Sequence, residues 1–317
     1  MGPIDAGVTA RLIIDCDPGP DDAVALLLAH THADVLGITT VSGNAPLRHT
    51  TRNALAVVEL LGARTPVHSG AAQPLIGEAL HATHVHGVDG LGGASLPAPS
   101  SHVAGEDGAG FLIETTRAYS DVWIVAIGPL TNVAIALQRD AGLAERIAGI
   151  SIMGGTTTVG NATAVAEFNI WADPEAADIV FRSGARLRMC GLNLTQQLRT
   201  SDATVAGLRT LGSARGDFVA DLFEFLHERM AGLLGVRESA LHDPCAVLAV
   251  THPQLLGFQS RAVSVELQGT HTRGMTVVDQ RAFRRSGREP EPTNVEVAYD
   301  LDADRAMALV LEAIAAD

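Results

Sequence analysis

The chain has 317 residues and a formal charge of −14, because its 22 basic residues, all arginine, face 36 acids. The absence of lysine excludes Schiff-base catalysis with pyridoxal phosphate or of the aldolase type, a Walker A phosphate site and a protein-kinase strand lysine. The acidic balance speaks against a nucleic-acid surface, which needs clustered cations, although codon bias in a GC-rich genome also explains missing lysine.

With 47 % apolar and 18 % charged residues, the chain has the makings of an ample globular core. Its longest apolar run, Ala23 to Ala29, is far short of the ~20 residues a membrane span requires, so no membrane association is expected. The first six residues lack a basic n-region and carry Ala6 where a myristoylation motif wants Ser or Thr, so no leader or lipid is expected. Cys16, Cys190 and Cys245 form no CxxC pair, which suits a reducing cytoplasm and no disulfide framework.

In chain order, 11–15 reads as a short buried strand ending in acid, followed by a Gly/Pro turn and a helix from Asp21 to His30. Next come a strand at 35–41 and an amphipathic helix at 47–61. Further strands are expected at 121–127, 147–153 and 187–192, with a helix from Thr131 after the first of them. Asp173-Pro174 and Asp243-Pro244 each place an N-cap acid before proline at the first helical position. A hairpin of 261–268 with 274–278, a strand at 294–299 and a helix from about Asp302 complete the chain. Apolar runs alternating with helices predict an α/β fold with a mostly parallel sheet covered on both faces. No linker divides the chain, so one domain over 1–317 is expected. The Gly-, Ser-, Pro- and His-rich stretch 81–110 suggests a mobile lid near 78–107.

Ligands in such folds bind outside the carboxyl ends of the strands. That edge collects Asp15, Asp17, Asn44, the Ile127-Gly128-Pro129 turn, Met153-Gly154-Gly155 and Asn193. Asp15, Asp17, Asp21 and Asp22 put four carboxylates within eight residues. Capping of the following helix accounts for one or two of them. The full set would repel itself unless a hard divalent cation, Ca²⁺ or Mg²⁺, sat among them. An Asp-x-Asp after a first strand also opens haloacid-dehalogenase-type phosphatases, with Asp15 as nucleophile. That pattern wants Thr or Val where Gly19 stands, and a later lysine.

Three further groups stand out. Glu167 and Asn169 alternate after Asn161, a pattern able to grip a polyhydroxylated ligand or merely to form a polar loop. His242 beside Asp243 is either a satisfied surface histidine or an acid catalyst next to a metal ligand. His81, His84 and His86 sit in the lid stretch without cysteine, so zinc is not expected there.

Together these segments resemble the inosine–uridine preferring nucleoside hydrolase family. The resemblance rests on DCDPGPDDA at 15–23, ITTVSGN at 38–44, HVHGVDG at 84–90, GPLTN at 128–132, MGG at 153–155 and GNATAVAEFN at 160–169. It continues through DPEAA at 173–177, GLNLT at 191–195, HDPCAVL at 242–248 and RGMTVVD at 273–279. It implies an open, mostly parallel Rossmann-like sheet and hydrolysis of ribonucleosides to ribose and free base, with Ca²⁺ on the pocket floor. Asp17, Asp22, Asp243 and the Ile127 carbonyl would then hold the metal, with Asp15 behind them. Asp21, Asn44, Met153, Asn161, Glu167 and Asn169 would hold the ribose, and Asn193 joins the substrate-binding set. By the same resemblance Asp17 would take a proton from a Ca²⁺-bound water, and His242 would protonate the leaving base, with His84 or His86 as alternatives. The expected partners are a ribonucleoside and further copies of the chain, as a homodimer or homotetramer. The helix before His242 carries Phe223, Phe225, Leu226, His227, Arg229 and Met230, which leaves purine or pyrimidine preference open. A nucleoside-binding protein without turnover is the other reading of the same pocket.

Overall fold

In the computed structural model, residues 9–94, 96–281 and 292–316 are described, so the N-terminal residues read for a leader lie outside them. Twelve strands are seen among these residues: β1 (Arg11–Cys16), β2 (Asp34–Thr40), β3 (Val67–Ser69), β4 (Val122–Ala126), β5 (Gly149–Met153), β6 (Leu187–Cys190), β7 (Arg199–Ser201), β8 (Glu238–Ala240), β9 (Leu256–Arg261), β10 (Val263–Val265), β11 (Thr276–Val278) and β12 (Val295–Leu301). Eight of them form one sheet in the order β3-β2-β1-β4-β5-β6-β12-β9. Every neighbouring pair is parallel except β12 with the edge strand β9.

Period-two alternation sorts the strand side chains into two cores. Leu12, Ile14, Trp123 and Val125 point into one, beneath the helices Pro20–His32, Ala214–Leu234, Pro244–Thr251 and Ala303–Ala315. Ile13, Val122, Ile124, Ile150 and Ile152 point into the other, beneath Gly108–Ala118, Thr131–Arg139 and Pro174–Phe181. Burial on both faces explains why these strands read as unbroken apolar runs. From β1 the chain winds outward through β2 and β3, then returns to place β4 on the other side of β1. The crevice at this reversal, outside the carboxyl ends of β1 and β4, is where a doubly wound sheet binds ligand.

Two local expectations need correction. The strand expected over 187–192 stops at Cys190, and Leu192–Thr195 is a short helix entered through Gly191. The two Asp-Pro junctions also differ. Asp173 caps its helix, accepting from the Ala176 amide at 3.0 Å, whereas Asp243 makes no side-chain cap bond. The carboxylate of Asp243 is turned elsewhere.

Candidate active site

The turn after β1 builds the acidic floor. Pro20 starts the helix, and Asp22, one turn in, accepts from the amides of Gly19 (2.9 Å) and Asp17 (3.1 Å). Capping therefore does claim Asp22, and Asn44 Nδ2 donates to it as well at 3.1 Å. Asp17 accepts from the Asn44 amide through Oδ2 at 2.6 Å, while its buried Oδ1 has no partner. Backbone hems in this carboxylate: a Cβ at Gly43 would stand 2.0 Å from Oδ2, and one at Gly128 would stand 2.6 Å from Oδ1. Asp15 lies behind the floor, where Thr39 and Asn132 donate to Oδ1 and the buried Oδ2 is unpartnered.

Asp21, Asp22 and Asp243 each offer a carboxylate oxygen, all within 4.8 Å of one another. This trio shares Asp22 and Asp243 with the expected metal set, and Asp21 stands in it where Asp17 was expected. Burial pushes Asp15 up to about 6 and Asp22 up to about 7. It raises Asp17 and Asp243 well above the usual carboxylate range, and neighbouring aspartates add to the shift. Among the described residues no ion pair reaches any of the five. A desolvated, mutually repelling oxygen set with an orphaned Oδ1 beside it fits a hard divalent cation.

Above this floor opens a cavity of about 370 Å³, lined by Asp21, Asp243, Asn44, Ile127, Met153, Asn161, Glu167 and Asn169 among others. Glu167 caps the helix Phe168–Ala172, accepting from the amides of Asn169, Gly155 and Ile170. Its burial outweighs these bonds and lifts its pKa to about 7. Asn169 spends its amide on the carbonyls of Ile127 and Met153, both at 3.0 Å, which leaves its oxygen for the cavity. Asn161 accepts from the Phe168 amide and keeps its NH₂ group free to donate.

His84, His86 and His242 also line the cavity. His242 Nδ1 is hydrogen bonded to the buried Thr195 hydroxyl at 2.7 Å. Burial lowers the pKa of His242, Asp21 opposes that, and Arg199 adds to it. His86 is likewise lowered by burial, and its Nδ1 has no partner. Replacing Thr195 with valine keeps the volume and strands His242 Nδ1. We expect kcat to fall by about 10-fold with KM within about 2-fold, on the scale of one buried hydrogen bond. Steady-state kinetics at a saturating divalent cation test this, and an unchanged kcat refutes it.

Some expected groups are not brought together. Asn193 is spent on the Ala298 carbonyl and the Thr157 amide and does not line the cavity. His227 is fully buried against Thr200 and Asp202, and Arg229 donates outward to the His84 carbonyl at 2.6 Å. The cavity wall instead receives Leu226 and Met230, with His81, Phe168 and Trp171 from other segments. In the sequence, only their place beside Asn169 in a polar run points to Phe168 and Trp171; nothing in their own spacing marks them.

A buried acid cluster under a polar cavity, at the switch point of a doubly wound sheet, defines a metal-dependent hydrolase of the α/β class. The sequence model of the family "inosine-uridine preferring nucleoside hydrolase" matches residues 12–308. A pyrimidine-specific ribonucleoside hydrolase of Shewanella sp. strain MR-7 is 39 % identical over 310 residues, covering 96 % of both chains. Among solved structures, a plant nucleoside hydrolase superposes with TM-score 0.91 at 31 % identity, covering 98 % of this chain and 100 % of the other. A purine-preferring ribonucleoside hydrolase from Gardnerella vaginalis gives 0.89, also at 31 % identity, covering 96 % and 98 %. The chain belongs to the inosine-uridine preferring nucleoside hydrolase family. It is an N-glycosidase that hydrolyses ribonucleosides to ribose and free base. This family membership displaces the phosphatase alternative.

Proposed function

We propose that the chain is a Ca²⁺-dependent ribonucleoside hydrolase that prefers pyrimidine ribosides. The orphaned Oδ1 of Asp17, at the edge of the buried acid cluster, carries the reading. Asp17, Asp22, Asp243 and the Ile127 carbonyl would hold the ion, with Asp15 buttressing from behind. Bound there, Ca²⁺ lowers the pKa of a water and orients it.

Asp17 accepts the proton of the attacking water. Asp21, Asn44, Met153, Asn161, Glu167 and Asn169 hold the ribose, and the surrounding carboxylates stabilise positive charge developing at the anomeric carbon. His242, oriented through the Nδ1–Thr195 hydroxyl hydrogen bond, would act as the imidazolium: Nδ1–H donates to the hydroxyl oxygen, and the Nε2 proton goes to the departing base, leaving neutral imidazole. The pyrimidine preference is supported by the pyrimidine-specific relative. A homodimer or homotetramer is the expected assembly. Three unpaired, buried cysteines are in keeping with the cytoplasm.

The test is a panel of uridine, cytidine, inosine and adenosine assayed for reducing sugar with Ca²⁺ and after EDTA. Expected are a kcat/KM at least about 10-fold higher for uridine than for inosine, a margin of ~1.4 kcal/mol, and loss of turnover in EDTA that Ca²⁺ restores. Higher rates on purine ribosides refute the preference, and full activity in EDTA refutes the metal.

A further inference from the structure

The helix Leu47–Leu60 carries a buried asparagine, Asn53, only 1 % exposed among the apolar residues of its inner face. Its Nδ2 donates to two carbonyls from different segments: Pro18, inside the acidic turn (3.0 Å), and Asp89, past the histidine segment (2.8 Å). The fit leaves no slack. Gly90 has a φ of +86°, and a Cβ there would lie 3.2 Å from both Asn53 Nδ2 and the Pro18 carbonyl. From Asp89 the connection runs back to the cavity, because Gly90 donates to the Gly87 carbonyl and Gly92 to the His86 carbonyl at 2.8 Å. The His86 ring then rests on the acidic turn, its Nδ1 only 2.9 Å from where a Cβ on Gly19 would be.

We propose that Asn53 is a positioning residue that locks the histidine segment onto the acidic turn and so sets where His86 stands over the substrate. Both NH₂ protons are used, one on each segment, so a single side chain fixes their separation. The same helix fastens the chain further on, where Glu59 Oε1 accepts from the amides and hydroxyls of Ser100 and Ser101. The segment between is therefore held at both ends by one rigid element. Asn53 touches no substrate and acts through His86, and the proposal rests on the reading that His86 faces the riboside.

The test is a double-mutant cycle of Asn53→Ala and His86→Ala, assayed on uridine with saturating Ca²⁺. Asn53→Ala is expected to cut kcat/KM by about 10-fold or more alone, and by less than about 2-fold once His86 is alanine, as for residues that act as a unit. Asn53→Asp, which keeps the volume and loses both donors, should behave alike. Equal losses in both backgrounds overturn the coupling while leaving the role of His86 intact. Full activity of His86→Ala overturns the reading beneath it, and the proposal with it. Hydrogen exchange on the unaltered enzyme gives a readout that needs no variant. A protected Gly92 amide supports the clamp, and one exchanging at the free-chain rate refutes it.

Discussion

Replacing Asp17 with asparagine is expected to lower kcat by roughly 10³-fold or more, about 4 kcal/mol of transition-state stabilisation. Shape is nearly conserved, so the Asn44 amide still finds an acceptor at position 17. On the proposed mechanism, what is lost is the proton acceptor and one negative charge beside the cation site. The enclosure by Gly43 and Gly128 leaves no room for another carboxylate to swing in and substitute. Because the proposed ribose contacts come mainly from other residues, KM should rise far less than kcat falls. The check is steady-state reducing-sugar release at saturating Ca²⁺ beside the wild type. A variant retaining a tenth of the activity would remove Asp17 from the role of general base.

The second large effect is on stability. Unfolded, Asp15, Asp22 and Glu167 ionise near pH 4; folded, burial holds their protons to about 6, 7 and 7. The folded state thus binds more protons across pH 4 to 7. A raised folded pKa contributes stability that is complete below the unfolded value and lost as pH climbs through the folded one. Cation-free protein should accordingly melt at lower temperature at pH 8 than at pH 5.5. Millimolar Ca²⁺ should reverse the loss, since it binds the ionised cluster and must displace protons at lower pH. We expect a Ca²⁺-induced Tm gain of roughly 5 °C or more at pH 8 and clearly less at pH 5.5. Equal gains at the two pH values, measured calorimetrically with and without EDTA, would exclude this linkage.

The doubly wound sheet was readable because strands buried on both faces cannot alternate with polar residues. The apolar runs ending at Asp15 and Met153 therefore located β1 and β5 to within a residue or two. The short β3, the edge strand β9 and the β7–β8 pair carry too few apolar positions to stand out. The acidic cluster was equally plain, since Asp15 to Asp22 is local in sequence. Residues arriving from elsewhere were not. Asn53 sits in a stretch that reads as ordinary amphipathic helix, and Thr195 became a partner of His242 only because the strand ended early at Cys190. His227 stays off the cavity wall through helix geometry. Leu226 and Met230, four apart, share the face on the cavity, and position 227 is turned away by about 100°.

The reversal at β1 also bears on how the protein comes to exist. Asp22 and Asp243 meet across most of the chain's length, and β1 is flanked by strands from opposite winding directions. Neither half of the sheet can assemble the carboxylate cluster alone, and contacts of such sequence separation form late and slowly. High-affinity cation uptake during refolding should therefore lag the recovery of helical signal. The ion would act as a reporter of finished topology: it takes hold of chains that have closed the last loop and passes over those that have not.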